Sequence, residues 1–254
     1  MSQTRSLVVI PTYNEIENIS RIVPAVLRQG GGYELLIVDD GSPDGTGARV
    51  RELRGEYGDR LHLLEREGKL GLGTAYLAGF AWGLARDYAY LFEMDADFSH
   101  DPADLPRLLA PLEAGVADVA IGSRYTRGGA VADWPAGRIA LSYGASLYVR
   151  AATWMPVRDP TAGFKCYRRA VLEAIDLDDV RFIGYAFQIE MKFRAWRLGY
   201  RLREVPITFT DRTAGQSKMS TGIVREAVLG VLQMRLAGLG GGRGGSKRLG
   251  DVVR

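Results

Sequence analysis

Two carboxylates one residue apart, Asp95 and Asp97, follow a continuous apolar run over residues 88–94 and are separated only by Ala96. A strand ending near Met94 lets the following loop turn both side chains toward one cation. Paired carboxylate oxygens suit a hard divalent ion such as Mg2+ or Mn2+, which shares its remaining positions with substrate phosphates and water. A second acidic pair, Asp39-Asp40, ends the apolar run Glu34 to Val38. A lone Asp-x-Asp is ordinary turn chemistry. Two acidic strand ends on one edge are more than that, because open α/β sheets bind their ligands beyond the carboxyl ends of the strands.

The elements that must position these groups are legible as an alternation. Apolar, β-rich runs fall at residues 7–10, 34–38, 61–65, 88–94 and 117–121. Their continuity predicts strands covered on both faces. Helical patterns lie between them, over 15–29, 43–56, 73–86 and 102–114. The last begins with Asp101 as N-cap and Pro102 in the first helical position. The fold class this predicts is α/β, a mostly parallel sheet flanked by helices. The second half is less regular: helices over 137–154, 185–198 and 219–236, and strands over 164–167 and 202–209.

The same landmarks exclude several chemistries. A nicotinamide enzyme needs Gly-x-Gly-x-x-Gly after its first strand, but here Pro11-Thr12-Tyr13-Asn14-Glu15 follows it. The glycine-rich stretch Gly68 to Gly73 comes after the third strand, with the wrong spacing, and suits a plain loop or a ligand contact equally. Two histidines and one cysteine argue against a His-rich zinc site and an internal disulfide framework. The chain has 254 residues, 46% hydrophobic and 25% charged, with a formal net charge of +3. Arg243, Lys247, Arg248 and Arg254 oppose only Asp251 beyond Gly238, so the tail carries the whole excess. Residues 1–237 are formally neutral, which leaves no support for a nucleic-acid partner.

Four motifs occur in order: Pro11 to Glu15, Val38-Asp39-Asp40-Gly41-Ser42, Asp95-Ala96-Asp97 and Gly122-Ser123-Arg124-Tyr125. Together they resemble the GT-A (Rossmann-like) glycosyltransferases of the second inverting family. Later segments narrow the resemblance: Asp133-Trp134-Pro135, Asp159 to Phe164, and Arg212 to Lys218. With these the chain is similar to the polyprenol-phosphate (dolichol-phosphate) mannose synthases, from about Leu7 to Leu236.

The resemblance implies mannosyl transfer from GDP-mannose to a polyprenyl phosphate with inversion. It implies a donor site of Pro11, Tyr13, Glu15, Val38, Asp40, Asp95, Ala96 and Asp97. Asp97 matches the principal metal ligand, assisted by Asp95; Ser99 falls where some relatives place a third ligand, and the cofactor would be Mg2+ or Mn2+. Arg212 and Lys218 match basic residues that reach the donor diphosphate from a mobile loop, and Gly215 and Ser217 between them suit a lid. Arg124, Arg138 and Ser142 match the acceptor-phosphate site. Arg138 and Ser142 are four apart on an expected helix and so share a face. A polyprenyl-phosphate glucosyltransferase using UDP-glucose would share these features, and a non-catalytic nucleotide-sugar-binding subunit would share some of them.

The expected organisation is a catalytic domain over residues 1–236 and a basic, Gly-rich, disordered tail over 237–254. No run reaches the roughly 18 to 20 apolar residues of a membrane span, and the residues before Leu7 do not read as a signal peptide. The protein is therefore expected in the cytoplasm, peripheral to the cytoplasmic face of the membrane. Residues 139–149, residues 223–236, the basic tail or a membrane-embedded protein partner would bring it to its lipid acceptor.

Overall fold

The computed structural model describes residues 5–30, 32–211 and 230–235. Among them, seven strands form one sheet in the order β3-β2-β1-β4-β7-β5-β8. The strands are β1 (Ser6–Thr12), β2 (Tyr33–Asp39), β3 (Leu61–Glu65), β4 (Tyr90–Glu93), β5 (Val119–Ser123), β7 (Lys165–Arg168) and β8 (Leu202–Pro206). All neighbours pair in parallel except β7, which runs antiparallel to both β4 and β5.

The continuous apolar runs are doubly covered, as their composition predicts. Val8 and Ile10 of β1 join one core with Ile19, Ile22, Val50 and Leu108. These come from α1 (Ile16–Leu27), α2 (Thr46–Tyr57) and α4 (Leu105–Glu113). The alternate residues Leu7 and Val9 join a second core with Tyr76, Phe80, Val171 and Phe187. Those belong to α3 (Leu72–Leu84), α6 (Arg169–Ala174) and α7 (Ala186–Arg197). Helix α3 lies very close to the sheet: a Cβ at Gly79 would stand 2.4 Å from Val9 Cγ1. Only glycine permits that approach.

Register aligns the polar edge. Thr12 pairs with Asp39, Asp39 with Glu65, and Val9 with Glu93. The chain therefore leaves β1, β2 and β4 on one side of the sheet, carrying Tyr13, Asp40 and Asp95 to a common edge.

Three local features differ from the sequence pattern. The helix expected from 102 begins as a short 3-10 turn over Pro102–Asp104, capped by Asp101, whose carboxylate accepts from Ala103 N at 2.9 Å. The single strand expected over 202–209 is two. Strand β8 stays with β5 to Pro206, then β9 (Thr208–Thr210) leaves the main sheet to pair with β6 (Ala130–Ala132). Proline has no N–H to continue a ladder, which fits a break there. Neither β6 nor α6 announces itself as a pattern, because each is only a few residues long. Helix α5 (Ala136–Thr153) matches expectation. Of the helix expected over 219–236, residues 230–235 are helical. The remainder of that segment, Arg212, Lys218 and the tail lie outside the described residues.

Candidate active site

A cleft of about 540 Å³ opens at the aligned strand ends. Pro11, Tyr13, Glu15, Asp40, Asp95, Ala96 and Asp97 line it from the β1–β4 side. Arg124, Trp134, Arg138, Thr161 and Phe209 line it from the other. The structure thus brings most of the expected donor and acceptor residues into one space. The Val38 side chain is instead buried against α3, and Ser99 and Ser142 stand outside the cleft lining.

The acidic loop is held by its own short-range bonds. Asp97 Oδ1 accepts from Ser99 N at 3.1 Å and from Ser99 Oγ at 2.5 Å. The turn between them requires Phe98 at φ 60, a left-handed conformation that non-glycine residues adopt at some cost. Ser99 therefore sits beneath Asp97 and orients its carboxylate. Asp95 Oδ1 accepts from the Tyr76 hydroxyl at 3.1 Å, and Asp95 N donates to His100 Nδ1 at 3.2 Å. His100 is buried against Phe164 and Phe209. Burial pushes its pKa down, more than the nearby Asp95 and Asp97 raise it. A neutral ring whose Nδ1 is already an acceptor carries its proton on Nε2. His100 lines the cleft in that form.

Asp39 and Asp40 divide their work. Asp39 accepts from Thr12 Oγ1, Ser42 N and Ser42 Oγ, tying the ends of β1 and β2 together. Asp40 turns into the cleft, 3.0 Å from Arg66 Nε. Burial raises its carboxyl above the ordinary range despite that guanidinium.

On the opposite wall, Arg124 is buried and its fork is taken. Nε and Nη2 donate to the two oxygens of Asp159 at 2.7 and 2.6 Å, and Nη2 also reaches Thr161 Oγ1 at 2.7 Å. Burial opposes its charge, but the Asp159 carboxylate more than offsets this and holds its pKa above the usual value. The rings of Tyr125, Trp134 and Phe209 surround it at 5.2 to 5.7 Å. Arg138 is more accessible. Its guanidinium stacks 3.9 Å over Trp134 and donates to Asp211 at 2.8 Å. Ser142, one turn along α5, meets the Tyr125 hydroxyl.

Several lining or supporting residues carry no motif signal: Tyr76, Arg66, His100 and Gln188. Each becomes visible only once the fold packs separate elements together. Among the described residues, no cluster of three or more His, Cys, Asp or Glu side chains is assembled to hold a metal. Two carboxylates, with oxygens from a diphosphate and water, are a hard donor set that fits Mg2+ or Mn2+.

A mostly parallel sheet covered on both faces, with acidic residues at its polar edge, is the GT-A architecture. The chain belongs to glycosyl transferase family 2, whose model matches residues 7–176. It is 52% identical over 234 residues to a polyprenol monophosphomannose synthase of Mycolicibacterium smegmatis, covering 92% of this chain and 88% of that one. It is 48% identical to an undecaprenyl-phosphate mannosyltransferase of Micrococcus luteus, over 92% of this chain and 95% of the relative. Among solved structures it resembles glucosyl-3-phosphoglycerate synthase of Mycobacterium tuberculosis bound to Mn2+, UDP and glucosyl-3-phosphoglycerate. That match has a TM-score of 0.66 and 21% identity, over 91% of this chain and 80% of the other.

Proposed function

We propose that this chain transfers mannose from GDP-mannose to a polyprenyl phosphate, giving a polyprenyl-phosphate β-mannose. The observation that carries the reading is the single cleft in which Asp95 and Asp97 face Arg124 and Arg138. The substrates named for the two mannosyl-transferring relatives support the choice of sugar and acceptor.

Tyr13, Glu15 and Asp40 hold the nucleoside, and Asp95 and Asp97 direct the diphosphate. Asp97, assisted by Asp95, would hold Mg2+ or Mn2+, which supplies positive charge to the leaving diphosphate. Arg138 receives the acceptor phosphate by exchanging its Asp211 partner for phosphate oxygens. Arg124, already committed to Asp159, maintains positive charge and shape in that wall. An acceptor oxygen attacks the anomeric carbon, the bond to the diphosphate breaks, and configuration inverts. The phosphate nucleophile is anionic near neutral pH, so no general base is required of the neutral His100. Arg212 and Lys218 would add charge at the diphosphate.

The acceptor also supplies a reason for contact with a bilayer. Among the described residues no helix is long and apolar enough to cross a membrane. Helix α5 carries Arg138 into the cleft from its first turn, and its exposed positions carry no charged side chain. They include Ala140, Leu141, Tyr143, Leu147 and Ala151. Leu141 is 64% exposed and Trp154, at the C-terminal end of α5, is 70% exposed. This face would lie in the membrane interface with the cleft mouth beside it.

Mass spectrometry of products from GDP-mannose or UDP-glucose with a short polyprenyl phosphate tests the reaction. A mannosyl phosphate product is expected, and a glucosyl product from UDP-glucose would replace the donor assignment. Flotation with anionic vesicles tests the surface. Vesicle binding that is lost in Leu141→Glu/Leu147→Glu is expected. No vesicle binding at low salt would point to recruitment by a membrane-embedded protein.

A further inference from the structure

Behind the cleft floor lies a charged group for which the proposed reaction gives no role. Glu93, Lys165 and Lys192 have no exposed surface at all. Lys165 Nζ stands 2.9 Å from Glu93 Oε2, and the Tyr167 hydroxyl donates to Glu93 Oε1 at 2.9 Å. Lys165 also donates to Oε1 of Gln188. Lys192 Nζ donates to the carbonyl of Ala162, in the 159–164 segment above, at 2.6 Å. Taking the Glu93–Lys165 pair out of water is costly, and apolar side chains of similar volume would fill the space at less expense.

What the group fixes is one amide. An ammonium only donates hydrogen bonds, so Lys165 forces the Gln188 oxygen inward and the Nε2 amide group toward the cleft. Gln188 is 3% exposed and lines the cleft, as does Gly163. A Cβ at Gly163 would lie 3.8 Å from Gln188 Nε2, 3.8 Å from Asp95 Oδ2 and 3.4 Å from His100 Cε1. The missing side chain leaves a small gap bounded by a donor on one side and a carboxylate acceptor on the other.

Resting on the glycosyl-transfer reading above, we infer that Gln188 is a sugar-contacting residue whose Nε2 donates to a hydroxyl of the transferred hexose in the gap beside Gly163. Lys165 and Glu93 are its positioning residues. The chemistry selects this ligand. A hydroxyl both donates and accepts, so it can satisfy Asp95 and Gln188 together. A phosphate oxygen only accepts and would face the Asp95 carboxylate. The nucleoside residues Tyr13 and Asp40 approach from the β1–β2 strand ends, whereas Gly163 comes from the segment before β7 and Gln188 from α7.

The test compares GDP with GDP-mannose. Binding of each is measured by calorimetry with Mn2+ for the wild type, Gln188→Glu and Gln188→Met, alongside transfer kinetics. Gln188→Glu keeps an oxygen for Lys165 but presents a second oxygen to the cleft; Gln188→Met keeps the volume without polar atoms. In both, GDP-mannose affinity and kcat/KM should fall about tenfold or more, the scale of one lost hydrogen bond in a buried site. GDP affinity should stay at wild-type values in both variants, while the thermal midpoint of Gln188→Met should fall because Lys165 loses its oxygen partner. Equal losses for GDP and GDP-mannose, or unchanged transfer in both variants, would overturn the assignment. A wild-type protein that transfers sugar from neither GDP-mannose nor UDP-glucose would remove the underlying reading. That failure is seen in the wild type alone, whereas failure of the Gln188 assignment is seen only in the variants.

Discussion

On the β1–β4 side of the cleft, Asp95 and Asp97 are only half-buried, and the bonds that orient them come from neutral groups, Tyr76 and Ser99. On the β5–β7 side, Arg124 and Asp159 are both buried and compensate each other through two side-chain hydrogen bonds. The hydrogen bonds on Asp95 and Asp97 come from neutral hydroxyls and a backbone N–H. Groups that shape a wall are compensated fully, because a buried unpaired charge is costly. Arg138 stands between these extremes: it is one-third exposed, and its Asp211 partner is equally accessible.

The comparison can be broken first at Arg124. Asp159→Ala leaves a buried guanidinium unpaired, and should lower unfolding free energy by about 3–5 kcal/mol in urea titrations. A loss under about 1 kcal/mol would mean the wall does not depend on that pair. On the other side, Asp97→Ala should cut transfer by at least ~100-fold while stability changes little, the scale for losing one major electrostatic group. Near-normal turnover would remove Asp97 from the metal site. Arg138→Ala should raise the apparent KM for polyprenyl phosphate by about tenfold, the scale of a charge-assisted hydrogen bond. Its effect on the donor KM should be smaller; equal effects would detach it from the acceptor. Tyr76→Phe removes only the hydroxyl on Asp95 and should cost kcat a few-fold, roughly 1 kcal/mol.

The smallest effect concerns the buried lysines. Burial is the main influence that pulls the Lys192 pKa well below its ordinary value, and Lys165 beside it adds to the shift. The unfolded chain binds that proton up to about pH 10.4, whereas the folded chain releases it at lower pH. Unfolding therefore takes up a proton in this window, and the group's contribution to stability increases as pH rises. Lys192→Met should flatten the increase in unfolding free energy between pH 7 and pH 9. An unchanged slope would mean that Lys192 stays charged in the folded protein.

The two walls also differ in how much of them the sequence discloses. Tyr13, Asp40, Asp95 and Asp97 each follow an apolar run, and parallel pairing in register places them together, so local pattern suffices. The polar edge and the doubly covered sheet were legible for the same reason. Arg124 is different: its partner Asp159 is 35 positions away and leaves no periodic trace. Tyr76 reaches Asp95, and Lys165 reaches Gln188, through packing between separate elements. The antiparallel direction of β7 is likewise hidden, since Phe164 to Tyr167 reads as a strand whichever way it points. The break at Pro206 that releases β9 was present in the sequence, but only the pairing of β9 with β6 gives it meaning.

Strand β7 has one more effect, on the order in which the molecule can be assembled. Strands β3, β2, β1 and β4 are complete by residue 93 and can pair as soon as they leave a ribosome. Strand β5 follows within thirty residues but has no partner among them; it pairs only with β7 and β8. Until residue 168 has emerged, β5 and the loop bearing Arg124 have no sheet to join. Synthesis at about 5–20 residues per second makes this a wait of seconds. The half bearing Asp40 and Asp95 would thus be folding while the half bearing Arg124 is still an open chain with an unpaired strand.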